Sequence, residues 1–213
     1  GELPGSVAWA VVCDGMGGAA GGNLASSTAV KIISERITSS YRPGMSSSSI
    51  KNMFMSAVTA ANIEVFEMSQ KDPELNGMGT TVVVSIVADE NVYVAHAGDS
   101  RAYILSNNKL YQLTKDHSFV QEMVDCGKIT PDEARAHPRK NLITRALGVS
   151  EDLRIDFCEE SISENDVLLL CTDGLTNYIE AEEIYELTED GKFYEYAERL
   201  VNRANHNGGG DNI

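Results

Sequence analysis

Four aspartates stand where a carboxylate is held most rigidly. Asp14 ends an apolar run and opens Asp14-Gly15-Met16-Gly17-Gly18, and Asp173 ends a second apolar run and precedes Gly174. Asp99 lies in a Gly98-Asp99-Ser100 turn between two strand-like segments, and Asp211 follows Gly208-Gly209-Gly210. Glycine neighbours let a backbone carbonyl or a ligand come close to such a carboxylate. Gathered in space, the four would repel one another unless a cation sat among them. A hard divalent ion taking oxygen ligands and water is the chemistry this pattern fits. For any single Asp-Gly, an ordinary turn is the plainer reading.

The elements that must position these carboxylates are legible in the hydrophobic spacing. Residues 7–13 form a continuous apolar run bounded by glycine, which predicts a strand buried on both faces. Ala25, Ala29, Ile32, Ile33 and Ile37 predict a helix over 22–41. Met53, Phe54, Ala57, Val58, Ala61, Val65, Phe66 and Met68 predict a second over 49–69. The link between them, Arg42-Pro43-Gly44 and the serines at 46–49, ends in helix N-cap residues. Residues 80–88, 92–97, 101–105 and 109–113 read as four strands joined by tight turns, an antiparallel meander. Short helices near 119–126 and from Pro131 follow, then strands near 153–158 and 167–171, the latter strongly buried. Helices near 181–187 and 193–204 complete the pattern. Helices before and after a block of antiparallel strands predict an α+β fold. Its expected form is a four-layer αββα sandwich, two antiparallel sheets flanked by helices, in a single domain.

Composition narrows the function classes. The chain has 213 residues, with 32 acids against 17 bases and a formal charge of −15. That length buries a core without staples. The charge argues against nucleic acid and against anionic membranes as partners. No apolar run approaches the length of a membrane-spanning helix. Cys13, Cys126, Cys158 and Cys171 show neither CxxC pairing nor regular spacing, so a disulfide scaffold or zinc ribbon is not expected. Cys13 and Cys171 read as small buried hydrophobes, and a reducing, cytoplasmic setting follows.

Taken in order, several blocks resemble the PPM family of metal-dependent protein phosphatases (protein phosphatase type 2C), in particular its bacterial branch. They are Asp14-Gly15-Met16-Gly17-Gly18, Gly79-Thr80-Thr81, Gly98-Asp99-Ser100-Arg101 and Leu113-Thr114-Lys115-Asp116-His117-Ser118. Ile143-Thr144-Arg145-Ala146-Leu147-Gly148, Cys171-Thr172-Asp173-Gly174-Leu175 and Gly210-Asp211-Asn212 complete the series. The resemblance covers essentially the whole chain. It implies hydrolysis of phosphoserine and phosphothreonine in proteins, a serine/threonine kinase among the substrates, with two Mn²⁺ or Mg²⁺ ions and no phosphoenzyme. By that resemblance Asp14 bridges the two ions, the Gly15 carbonyl binds one, and Asp173 and Asp211 bind the other. Asp99 resembles the ligand to a third, weaker site. Two close ions of this kind lower the pKa of a shared water and offset charge in an in-line displacement.

Departures from the family pattern shape the remaining expectations. Asn177 stands where strong third-site relatives carry aspartate, and Met16 stands where some carry a proton-donating histidine. Arg101 and Arg145 read as structural partners of internal acids rather than phosphate binders. His117 reads as structural, His96 as a satisfied sheet residue, and His137 and His206 as surface loop residues. Residues 119–142 correspond to the family's flap, expected to influence substrate choice rather than chemistry. Against the family pattern, the N-terminal strand motif and the last strand are expected to be missing. Two alternatives therefore stay open: a catalytically impaired phosphatase-like binding module, and a metal phosphatase of small phosphate esters.

Overall fold

The computed structural model describes residues 1–5, 7–107, 109–189 and 192–213. The largest sheet is antiparallel, in the order β1 (Glu2–Leu3), β2 (Val7–Val12), β5 (Val82–Ala88), β6 (Asn91–Ala97), β9 (Asp156–Ser161). A second sheet runs β10 (Val167–Cys171), β7 (Arg101–Ser106), β8 (Lys109–Gln112). A third, of two strands, pairs β3 (Gly15–Met16) with β4 (Gly79–Thr80).

Side-chain alternation assembles the layers. On β5, Val82, Val84 and Ile86 turn to one face, where they meet Ile33 and Ile37 of α1 (Ala19–Ser40) and Phe54 and Val58 of α2 (Ser47–Lys71). Val83 turns the other way and meets Ala102, Leu168 and Leu170 of the second sheet. That sheet's outer face, Tyr103, Leu169 and Cys171, packs on Ile184 of α6 (Ala181–Glu189) and Leu200 of α7 (Tyr196–His206). The result is helix pair, sheet, sheet, helix pair. The valine-rich run of β5 has no polar alternation because both of its faces are covered.

Local chemistry sets the boundaries. Ser46 caps α2 by accepting from the Ser49 N–H, in the serine tract where a cap was expected. The β5–β6 hairpin turns on Asp89 and Glu90, both at positive φ (50° and 61°), the mark of a two-residue type I′ turn. Asn62, fully buried in α2, donates to the Ser150 and Glu151 carbonyls and accepts from Gly148 N–H, anchoring the loop beyond Leu147. No helix among the described residues is long and apolar enough to cross a membrane.

Several expectations need correction. The four-strand meander does not form, because the chain changes sheets at Gly98-Asp99-Ser100: β6 pairs with β5 and β9, whereas β7 pairs with β8 and β10. The strand expected over 80–88 breaks at Thr81: Thr80 pairs with Gly15, extended by Gly79 opposite Met16, and β5 begins only at Val82. β2 is not buried on both faces: Ala8 and Ala10 are exposed, because the three-stranded second sheet is narrower than the five-stranded first. β10 is only half-buried apart from Cys171, because it is an edge strand. The strand expected over 153–158 lies at Asp156–Ser161, where it can pair with β6. The last helix is a 3₁₀ turn (Phe193–Glu195) followed by α7. Asn108, in the third turn of the expected meander, lies outside the described residues.

Candidate metal centre

Strand register brings the aspartates to one end of the sandwich. Val12, two residues before Asp14, pairs with Val83, and Val82 pairs with Ala97, two residues before Asp99. Across the second sheet Arg101 pairs with Cys171, which places Asp99 and Asp173 at neighbouring strand ends. Asp211 arrives separately. Gly174 makes this approach possible, since a Cβ there would sit 2.2 Å from the Asn212 carbonyl oxygen. Thr172 Oγ1 donates to that same oxygen at 2.6 Å. Asp173 opens the short helix α5 (Asp173–Thr176) and accepts from Asn177 Nδ2 at 2.9 Å.

Asp14 is held by its backbone, leaving its carboxylate for the site. Thr81 N–H and Thr80 Oγ1 both donate to its carbonyl, at 2.8 and 2.9 Å, and its own N–H donates to Thr81 Oγ1 at 2.9 Å. Gly15 lies tight against α1, where a Cβ would meet the Gly22 carbonyl oxygen at 1.9 Å. The role of Thr80 and Thr81 was not visible in the sequence. Their place in the Gly79-Thr80-Thr81 block was the only signal, and it gives no partner.

The electrostatics fit a cation. Burial raises the Asp14 carboxyl to about 7, with the charges of Asp173 and Asp211 adding to it. Burial and then Asp173, Asp116 and Asp14 raise Asp99 to about 7 as well. Asp173 is raised by burial and by Asp211, an effect opposed by the hydrogen bonds from Asn177 and Asp14. The donor set is carboxylate and carbonyl oxygen throughout, suited to Mg²⁺ or Mn²⁺ rather than to a soft metal.

The histidines belong to a separate structure. Among the described residues, the three-member group whose donor atoms all lie within 4.8 Å of one another is His96, His117 and Asp156, not the aspartates. A cation already sits there. Arg145 Nη1 is 3.1 Å from Asp156 Oδ1 and 2.9 Å from His117 Nε2. His117 Nδ1 accepts from Gly98 N–H at 3.1 Å, and Nε2 lies 3.1 Å from Asp156 Oδ2. The group buttresses the Asp99 turn rather than offering a metal site. His96 differs from expectation: Nε2 meets the Lys115 carbonyl at 2.9 Å, but Nδ1 is buried without a partner. His206 closes α7 rather than lying in a loop.

Arg101 is engaged twice by Asp116, at 2.8 and 2.7 Å, and once by the Tyr103 hydroxyl at 2.9 Å. Both arginines therefore serve internal acids, as the sequence reading expects. Three of the thiols are poor nucleophiles, since burial pushes Cys13 and Cys171 up to about 12 and Cys158 to about 11.

Residues 119–142 leave and rejoin the body at a closed base, where Phe119 N–H donates to the Leu142 carbonyl at 2.8 Å. They carry α3 (Phe119–Asp125) and α4 (Pro131–Arg135), the latter started by a Thr130–Glu133 capping box. A cavity of about 400 Å³ lies between this excursion and the body, with Asp99 and Asp173 on one side and Pro131, Arg135 and Lys140 on the other.

The protein phosphatase 2C family profile matches residues 2–212. The chain belongs to the protein phosphatase 2C family. It is 39% identical over 204 residues to the serine/threonine phosphatase stp of Listeria monocytogenes, covering 95% of this chain and 81% of that protein. The S. agalactiae serine/threonine phosphatase superposes with a TM-score of 0.91 at 32% identity, covering 99% of this chain and 86% of that one. The catalytic domain of the phosphatase PstP, solved in complex with two manganese ions, superposes with a TM-score of 0.83 at 33% identity, over 95% of this chain and 83% of that one. The chain is thus a protein serine/threonine phosphatase of the PPM type, with the αββα fold of that family.

A pH signature follows from the raised carboxyls. A group whose folded pKa lies above its unfolded value stabilises fully below the unfolded value, and that contribution is lost as pH rises through the folded one. For Asp14 and Asp99 the window runs from the ordinary 3.8 to about 7. Cation binding needs the ionised forms and therefore expels protons. Calorimetry of Mn²⁺ binding in buffers of different ionisation enthalpy should show release of about one to two protons at pH 6, falling toward zero above about pH 8. Proton uptake, or none at either pH, would contradict the placement of the ions among these carboxyls.

Proposed function

We propose that this phosphatase dephosphorylates phosphoserine and phosphothreonine in proteins with divalent cations, Mn²⁺ or Mg²⁺, held by Asp14, the Gly15 carbonyl, Asp173 and Asp211. Asp99 holds a further, weaker one. The observation that carries this reading is the convergence of half-buried, mutually repelling carboxylates, with the exposed Asp211 beside them, at one end of the sandwich. None of the four aspartates makes an ion pair among the described residues. Bound there, such ions supply Lewis acidity toward water and toward the phosphoryl oxygens.

The chain's own residues do the positioning. Thr80 and Thr81 fix the Asp14 peptide, the glycine at 174 admits Asp211 beside Asp173, and Asn177 orients Asp173. Asn177 donates to a carboxylate instead of presenting one, which fits a weak site at Asp99. Among the described residues no side chain is seen poised as a covalent nucleophile: burial raises the Cys13 and Cys171 thiols and lowers His96 and His117. Met16 carries no acidic proton, so it cannot protonate the leaving alkoxide, a role that would pass to a water held at the cation site. Phosphoproteins are the substrates, a serine/threonine kinase among them. The flap wall of the 400 Å³ cavity supports a part for residues 119–142 in choosing among them. The four free cysteines fit a cytoplasmic setting.

The test is hydrolysis of a phosphothreonine peptide with Mn²⁺, with and without chelator. We expect turnover that chelator abolishes. Peptides with basic residues beside the phosphothreonine should outpace acidic ones, because the −15 charge repels the latter. Absence of chelator-sensitive turnover would sink the assignment. No observation favours binding without turnover.

A further inference from the structure

We propose that Thr81 is a positioning residue, whose single hydroxyl ties Asp14 to the Asp99 turn so that both parts of the cation site form as one unit. The proposal rests on the site reading above.

Thr81 stands between β4 and β5, at the break that hydrophobic spacing did not foresee. It is 4% exposed, and Ser100 is 1% exposed. Thr81 Oγ1 accepts from the Asp14 N–H at 2.9 Å and shares a hydrogen bond with Ser100 Oγ at 2.7 Å. Asp14 and Ser100 lie on loops of different sheets, and the one hydroxyl closes the gap between them. The methyl end of Thr81 does separate work. Gly98, at φ +113°, lies so near that a Cβ there would meet Thr81 Cβ and Cγ2 at 2.7 Å.

The far side of the turn is fixed independently. Gly98 N–H donates to His117 Nδ1 at 3.1 Å, and His117 N–H donates to the Gly98 carbonyl at 2.9 Å. With that side pinned, the position of Asp99 relative to Asp14 is set by Thr81. Removing its hydroxyl would strand a half-buried N–H and a buried serine hydroxyl at the site, and both would seek new partners by moving the loops.

Three variants separate the hydroxyl from the methyl. Thr81→Val keeps the shape and removes the hydroxyl. Thr81→Ser keeps the hydroxyl and removes the methyl. Ser100→Ala breaks only the bridge to the turn, leaving the bond to Asp14 N–H. The readout is calorimetric titration of each purified protein with MnCl₂, with thermal melts alongside. We expect Thr81→Val to weaken Mn²⁺ binding by about 10- to 100-fold, the range for partners that orient ligands. Thr81→Ser should stay within about threefold of the parent, although loss of the methyl lowers its melting temperature. Ser100→Ala should lose the weaker binding event and keep the tighter one.

Parental Mn²⁺ affinity in Thr81→Val, or equal losses in Thr81→Val and Thr81→Ser, would overturn the proposal. Should Thr81→Val fail to fold, Ser100→Ala decides, and both events at parental affinity would overturn it. A parent protein that binds no Mn²⁺ would overturn the site reading itself, and that result is told apart by coming before any variant.

Discussion

Asp173→Asn should remove cation binding and turnover together while leaving the fold intact. Asp173 begins α5 with one residue between it and β10, is held from the side by Asn177, and lies beside Asp14 and Asp211. An asparagine has the same shape and can still accept from Asn177, so packing is preserved. The charge that draws a divalent ion is gone. Loss of a mere orienting partner costs about 10- to 100-fold in metal affinity, so loss of a charged ligand should cost at least about 100-fold in Mn²⁺ affinity and in kcat/KM. The stability change has the opposite sign. Without metal, the Asp173 carboxylate is half-buried beside the exposed Asp211, and desolvation and that repulsion raise its pKa. Neutralising it should therefore leave the metal-free protein as stable as the parent or more so, while the stabilisation given by added Mn²⁺ disappears. Calorimetry and melts with and without Mn²⁺ check both halves. Unchanged Mn²⁺ affinity would count against Asp173 as a ligand.

Gly15→Ala should damage stability and the site at once. The space a Cβ would need is filled by backbone, with the Gly22 carbonyl oxygen at 1.9 Å and its carbon at 2.4 Å. Neither side can yield by rotating a side chain. Gly22 is equally constrained, since its own Cβ would fall 2.7 Å from the Gly15 carbonyl oxygen. β3 and the start of α1 meet as bare backbones, and an inserted methyl must push them apart. Overpacking costs about 1–3 kcal/mol, and rigid backbone on both sides places this case near 3 kcal/mol. For a chain of this size that lowers the melting temperature by about 6–12 °C. The displacement also carries the Gly15 carbonyl and the neighbouring Asp14 carboxylate away from Asp173, so activity should fall further than the folded fraction does. A variant with parental melting temperature and parental kcat would mean that the helix start yields freely.

Much of the proposed site was legible because its candidate ligands are short, charged and attached to strand ends. Asp14, Asp99 and Asp173 each follow an apolar strand, and a strand that must be buried fixes the residue at its end. Asp211 was legible only from its Gly-rich approach and the ordered blocks, since its neighbour Asp173 is distant in sequence and the contact depends on Gly174. Thr81 was not legible as a positioning residue. It sits at the head of a valine run, where threonine reads as one more β-branched strand residue. The His96–His117–Asp156 group was equally hidden, because its members come from β6, the segment before α3, and β9. His117 could be read as structural, but neither its acceptor role toward Gly98 nor the guanidinium of Arg145 beside it could.

By itself the sequence determined the element order, the valine-rich central strands, the two long helices and a set of aspartates suited to hard cations. Those follow from periodicity and residue chemistry, which act over a few residues and need no knowledge of distant partners. Only the tertiary structure decided that the chain switches sheets at Gly98-Asp99-Ser100, turning an expected meander into two sheets joined at the site. The hydrophobic pattern is the same for either arrangement, because a strand buried on both faces reads alike whichever neighbour pairs with it. Pairing is set by contacts between strands far apart in sequence, which periodicity does not report. That choice brings Asp99 and Asp173 to neighbouring strand ends and leaves the Thr81 hydroxyl between Asp14 and the Asp99 turn.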